Sequence, residues 1–273
     1  MVTYYAVAAG GNWQTAGTWS SIATKDASRT SNGLVPGATI DCVIDDWSGS
    51  VTVGATSTCK SVDFNGGGAH AGTFTVNAQL TIAGNFTCSS AMTVSGGAST
   101  ARRIALNAAA ITLTTAGKVF NFALYFPLTT TLTLVGDVDC TDIILNAATI
   151  TMAGAYNITT NTISTPGVAV VWKLVAGQTL TITDAIYLTY ATSVAVPPLT
   201  FAKTIQSTVA STATYVNYTG TDANQNVILT TWTDVDASGG STIYSYQSGT
   251  LTRVVNVKTF NPPNAGGGFI PLR

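Results

Sequence analysis

Every carboxylate side chain in this chain of 273 residues is an aspartate, because its 12 acidic residues include no glutamate. Acid–base chemistry on a sugar needs two carboxylates, so any such site must be built from aspartates. The best spaced are Asp137 and Asp139 in "GDVDCTD", with Asp142 close behind. On a strand Asp137 and Asp139 face the same way, about 6.6 Å apart along the backbone, a separation open to a glycan hydrolase or lyase. The plainer reading makes all three polar residues at a turn of the chain and assigns no catalytic residue. Asp45 and Asp46 are neighbours and point to opposite faces of a strand, which argues against a shared site.

Other candidate chemistry is thinner. "DANQN" at Asp222 opens like a calcium loop, but Val227 stands where glycine is needed and Thr233 where the bidentate glutamate belongs. The glycine-rich "NGGGAHAG" at Asn65 has no lysine and reads as a flexible corner, not a phosphate cradle. His70, the single histidine, is expected in a loop or at the surface. Cys42, Cys59, Cys88 and Cys140 lack the close pairs of a zinc or redox motif and read as small buried side chains. The sequence therefore assigns no cofactor and no metal. Trp13, Trp19, Trp47, Tyr187, Tyr190, Trp232, Tyr244 and Tyr246 are candidates for stacking on sugars, with packing as the plainer role.

Composition narrows the class of protein. Charged residues make up 8% and hydrophobic residues 46% of the chain, where about 25% charged is usual. With no glutamate and only 11 lysines and arginines, long α-helices are not expected. A net charge of −1 offers no basic stripe for phosphates, so neither nucleic-acid binding nor attraction to an anionic membrane is expected. The amino terminus shows no export signal and no apolar run long enough to insert in a membrane.

The elements that position these residues are short strands. An alternating phrase of aliphatic, threonine, aliphatic appears at Val51, Phe74, Met92, Ile111, Leu132 and Ile150, putting the aliphatics on one face and threonine on the other. Successive phrases start 23, 18, 19, 21 and 18 residues apart. "IALNAAAITL" at 104–113 and "IILNAATITM" at 143–152 agree at seven of ten positions and lie thirty-nine residues apart, two such steps. Units of this length cannot bury an apolar face alone and must stack on their neighbours. The predicted fold is all-β: a right-handed parallel β-helix, or solenoid, of some seven coils rising about 30–35 Å. An antiparallel sandwich is the alternative, although its strands recur at shorter spacing.

The predicted divisions are an amino-terminal cap over 1–50, the β-solenoid over 51–193, an antiparallel β region over 194–261 and a Pro/Gly-rich docking tail over 262–273. In the tail, Phe269, Ile270 and Leu272 are the candidate partner-docking residues. The antiparallel expectation rests on loss of the period after "VAVPPL" and on the Gly-Gly turn in "DASGGST".

The succession "GGNWQTAGTWS", "PGATIDCVIDDWSGSVTV", "TCKSVDF" and "GTFTVNAQLTIAGNFT" resembles the amino-terminal part of β-solenoid structural proteins encoded by tailed bacteriophages, and of some bacterial surface proteins. It covers about the first third of the chain, and the matching Trp13, Trp19, Asp41, Cys59 and Phe64 look like cap and core positions. The resemblance implies a non-enzymatic virion component, a homotrimer that decorates the capsid or forms part of a tail fibre or spike, assembled in the host cytoplasm. The partners it implies are other copies of the chain, other capsid or tail proteins and a host surface glycan. Two alternatives stay open: a tailspike-like polysaccharide depolymerase acting through Asp137, Asp139 or Asp142, and a bacterial carbohydrate-binding adhesin.

Overall fold

A computed structural model describes residues 2–97, 99, 101–147, 149–165, 169–188, 203–246 and 250–260. The described residues are all-β, with single 3-10 turns at Ala16–Thr18 and Asp222–Asn224 and no α-helix. Among them only Val2–Ala6 with Trp19–Ser20, and a bridge from Trp19 to Leu34, pair antiparallel; every other pairing is parallel.

Three ladders run along the stack. The first climbs through Ile40–Val43, Ser61–Asp63, Phe86–Thr87, Ala110–Thr114, Thr130–Val135, Thr149–Ala153, Val170–Leu174, Lys203–Ser207, Thr230–Asp236 and Leu251–Val255. The second uses the opening halves of four long strands, Val119–Phe126, Val138–Leu145, Ile158–Ser164 and Thr179–Leu188, followed by Thr214–Tyr218. The third starts at Ser57–Cys59, Leu80–Ile82 and Arg103–Leu106, takes the closing halves of the same long strands, and ends in Gln225–Ile228, Ile243–Tyr246 and Val257–Phe260. A smaller sheet of Gly11–Asn12, Val51–Val53, Thr73–Val76 and Thr93–Gly96 lies beside the lower coils.

Alternation inside each strand sends aliphatics inward, and parallel pairing in register sets them in columns. Ile104, Leu124, Ile143, Ile163 and Ile186 form one such column, each at most 3% exposed. The two similar decapeptides therefore sit two coils apart, with the coil of Leu124 between them. Lower down the core is aromatic: the Phe64 and Phe74 ring centroids are 4.9 Å apart, Phe86 and Phe120 6.1 Å, and Phe120 and Phe122 5.3 Å.

Two expectations need correction. The alternating phrases do not form one series: those at Val51 and Phe74 belong to the small sheet, whereas those at Ile111, Leu132 and Ile150 belong to the first ladder. Strands on different faces share the same chemistry, so a common period cannot say which one stacks on which. The antiparallel region expected over 194–261 is not found among the described residues. Within 203–260 every described pairing is parallel, and Trp232 lies over Ile205 and under Leu251 in the same ladder. The Gly-Gly signal belongs to a coil corner, where a Cβ on Gly240 would stand 2.4 Å from the Tyr218 carbonyl oxygen.

One corner recurs. Between the first and second ladders Ala116, Gly136, Gly154, Gly177, Ser211, Asp234 and Arg253 all take positive φ, from +50° at Ala116 to +105° at Gly136. A left-handed residue turns the chain within one or two positions, the shortest connection open to an L-polypeptide. Where glycine is missing the strain is offset locally, as Arg253 Nη2 donates to Asp234 Oδ2 at 2.8 Å across the step.

The two ends differ. At the amino-terminal end Trp13 and Trp19 are fully buried, their rings 4.8 Å apart, and Trp19 Nε1 donates to the Trp13 carbonyl at 2.8 Å. Residues 194–202 and the tail from 261 on, with Phe269, Ile270 and Leu272, lie outside the described residues.

The corner yields a ranked prediction. A Cβ on Gly154 would meet the Leu134 carbonyl oxygen at 2.4 Å, whereas one on Gly177 meets nothing within 4 Å. Gly177→Ala is expected to cost about 1 kcal/mol, from the left-handed backbone alone. Gly154→Ala adds a clash and is expected to cost about 3 kcal/mol. Urea unfolding of the two variants checks the order; equal losses would contradict the close stacking of Gly154 on Leu134.

Candidate functional site

The bend inside the long strands decides which polar groups meet. In Val138–Leu145 the chain turns at Thr141, so Asp139 projects from the second ladder and Asp142 from the third, while Asp137 lies in the corner just before the strand. Asp137 Oδ1 accepts from the Asn157 amide at 2.8 Å and closes a corner. Asp139 is exposed, between Val119 below and Thr159 above. Asp142 stands between Ala123 and Thr162. The expected trio is thus divided between two faces, and the like-facing pair is already part bound in turn structure.

Asp142 has a different acidic neighbour. Burial lifts its carboxyl above the ordinary carboxylate value, and the charge of Asp184 adds to the shift. Asp184 precedes Ala185, which lies over Thr162 and so two coils above Asp142, leaving the two acids two coils apart and one residue out of register. Asn224 Nδ2 donates to Asp184 Oδ1 at 2.8 Å, and the Tyr218 hydroxyl donates to the Asp184 carbonyl at 3.0 Å. Burial and the charges of Asp184 and Asp222 push the Tyr218 phenol up to about 12. Tyr187, 40% exposed, flanks the group with a ring open to solvent. A carboxyl inclined to keep its proton, with a second aspartate two coils away, is the raw material of acid–base work on a glycosidic bond.

Sequence reasoning did not find Asp184, because "LTITDAIYL" reads as one strand. The signal was an aspartate breaking the alternation where Thr141 and Asn161 break it in the coils below. Another residue it missed is Lys203, whose side chain points inward from the first ladder, 1% exposed. Its Nζ has no hydrogen-bond partner among the described residues, and burial lowers its pKa. The cavity bounded by Leu124, Leu132, Met152 and Trp172 has an apolar lining that gives a polar ligand nothing to bond.

The remaining candidates divide between core and surface. Trp13, Trp19 and Trp232 are buried, the last donating from Nε1 to Ser245 Oγ at 3.3 Å, and Tyr244 is half-buried. Trp47, at 39% exposure, joins Tyr187 as an open ring, while Tyr190 and the Tyr246 side chain lie outside the description. All four cysteines are free and buried, and burial pushes Cys88 and Cys140 up to about 12. Asp222 opens a 3-10 turn.

His70 lies in a loop, one of the two placements expected, but inside rather than at the surface: it is fully buried, its ring 5.7 Å from Phe64 and its Nδ1 3.1 Å from the Asp45 carbonyl oxygen. The glycines before it let the loop fold over Asp46, since a Cβ on Gly68 would lie 2.5 Å from that carboxylate. Beneath it Arg29 Nη1 donates to Asp45 Oδ1 at 2.8 Å and to Oδ2 at 3.0 Å, and Arg29 is 3% exposed. Burial alone would raise the Asp45 carboxyl, but Arg29 and Ser48 hold it below the ordinary value. This network ties the loop over 21–39 to the first coils.

No protein-family model, curated protein or solved structure matches this chain.

The buried groups set a pH dependence. Burial lowers His70 below its ordinary 6.5, so the unfolded chain takes up a proton that the folded ring resists. The associated stability is complete above pH 6.5 and is lost as the pH falls below it. Asp45 acts in the same direction in a lower window, below its ordinary 3.8. Urea midpoints are expected to fall between pH 7 and pH 5 in the parent chain and to stay nearly level in His70→Asn; parallel slopes would contradict the assignment.

Proposed function

We propose that this chain is a non-enzymatic structural protein of a phage particle, a right-handed parallel β-solenoid assembled as a homotrimer on the capsid or in a tail fibre or spike. The observation that carries the reading is the run of parallel pairings from Ile40–Val43 to Val257–Phe260, which builds a stiff stack from short repeated turns. The right hand follows from chain chirality, since parallel strands in one sheet are joined by right-handed crossovers in about 98% of cases. The outward columns are neutral, as where Thr131 stands on Thr151 and Thr112 on Thr133, and they leave few charged or flexible sites for proteases. The resemblance of the first third of the sequence to phage solenoid proteins supplies the particle. Other virion proteins are the proposed partners, and the chain acts without nucleic acid, cofactor or membrane insertion.

Light scattering over a wide concentration range is expected to give three times the 28.0 kDa chain mass. A monomer throughout would remove the trimer, and gold label on purified particles shows whether the protein rides on head or tail.

A second reading is favoured by one specific arrangement, the half-buried Asp142 with its raised pKa beside Asp184. Asp184 lies two coils above Asp142 and one residue out of register, and Tyr187 offers a stacking surface. On this reading the protein is a depolymerase of host envelope polysaccharide. Reducing-sugar release from such glycans, lowered at least a hundredfold by Asp142→Asn and by Asp184→Asn, is the expected result; no release from any host glycan rejects it.

A further inference from the structure

We propose that Cys42 and Cys59 form an oxidation site, where a small-molecule disulfide converts the two thiols into a bond that closes one coil into a covalent ring. The pairing follows from the path of the chain. Cys42 lies in Ile40–Val43 of the first ladder, and Cys59 ends Ser57–Cys59 of the third. Only Lys60 separates Cys59 from Ser61–Asp63, which returns onto Ile40–Val43 with Ser61 over Asp41 and Val62 over Cys42. The Lys60 amide donates to the Ile40 carbonyl at 2.8 Å and holds the end of the one strand against the other. Both cysteines face inward from their strands and are fully buried. Their thiols meet in a hydrogen bond inside this corner; burial first, and then that bond, raises Cys42 well above its ordinary value. The other two thiols have different surroundings, Lys118 beside Cys88, and Thr160, Asp139 and Asp142 around Cys140.

The step is a pair of thiol–disulfide exchanges. One cysteine gives up its proton and its sulfur attacks the small-molecule disulfide, forming a mixed disulfide and releasing one small thiol. The second cysteine gives up its proton, attacks the mixed disulfide at the cysteine sulfur and releases the other small thiol. Two cysteine thiols are oxidised and one external disulfide is reduced. The thiolate is the attacking form, so thiols held in an apolar interior react while the coil is open, as during folding. Once made, the bond is shielded from reductant by the same burial. The ring encloses residues 43–58, which carry Asp45, the partner of Arg29, the exposed Trp47, and Val51–Val53 of the small sheet. Closing it removes open conformations from the unfolded chain. The site is the same whether or not the chain belongs to a phage particle.

The test uses the full chain. Unfolded in urea with its thiols reduced, it is diluted into buffer with reduced and oxidised glutathione, and its disulfides are mapped by peptide mass after alkylation. A Cys42–Cys59 bond within one chain is expected in most molecules, with Cys88 and Cys140 alkylated. A parallel sample kept in urea shows the pairing that nearness in sequence gives without the fold. A Cys42–Cys59 yield no higher on folding than in urea, or glutathione left on either cysteine, overturns the proposal. The oxidised chain is also expected to show a higher urea midpoint than the reduced one, and its bond to yield to dithiothreitol at least tenfold more slowly folded than unfolded. An equal or lower midpoint, or equal rates of reduction, overturns the placement of the bond inside the native corner.

Discussion

Parallel strands paired in register place each side chain on its counterpart one coil below, about 4.8 Å away, and nearly everything else in this protein follows from that stacking. Inward it builds columns such as Ile104, Leu124, Ile143 and Ile163, in which a branched aliphatic packs on its like. Outward it sets threonine on threonine. A charged residue repeated in such a column would face its own sign at every step, which is destabilising in a sheet. The charged content of 8% is the composition such a stack calls for. Some of the charge that does appear is paired across a step, as at Asp234 and Arg253, or set in a corner, as at Asp137.

The same stacking makes corners and ends the expensive places. A corner must turn within a residue or two and keep the coils level, and the positive φ recurring from Ala116 to Arg253 meets both demands. Ends lack a neighbour on one side. At the amino-terminal end the chain meets this with two buried tryptophans and with Arg29 and Asp45. Burying two charges costs more than their attraction returns unless the remaining donors and acceptors are satisfied. Here they are: Arg29 Nε donates to the Thr24 carbonyl, and Asp45 accepts from Trp47 and Ser48. The result is positional, fixing where the loop crosses the first coils.

The polar groups near Asp142 arise as a by-product of a bend. Long strands that must serve two ladders break their alternation at Thr141, Asn161 and Thr183, and the residues there cannot bury aliphatics on both sides. Thr160 points inward and donates to the carbonyl oxygens of Thr141 and Thr162, satisfying backbone that the bulge leaves unpaired. Asp142 and Asp184 flank this line, and their coupling reflects the repeat of the bend from coil to coil.

Alternation in "FTVN", "ITLT" and "LTLV" is a property of a few adjacent residues, and it was enough to establish strands, inward and outward faces, and an all-β chain. The repeated decapeptide likewise carried the spacing of coils, because units that stack must resemble one another. What local sequence could not carry was the partner of each strand. The segments over 225–260 have the same turn glycines and alternation that an antiparallel hairpin uses, and only the columns above Trp172 and Ile186 make them parallel. His70 went inward because the Asp45 carbonyl and the Phe64 ring, distant in sequence, were there to receive it. For the same reason Asp142 met Asp184 and parted from Asp137. Side-chain facing is decided by the two-residue period of a strand, whereas neighbours across a coil are decided by hydrogen bonds between segments about twenty residues apart, which no short stretch of sequence contains.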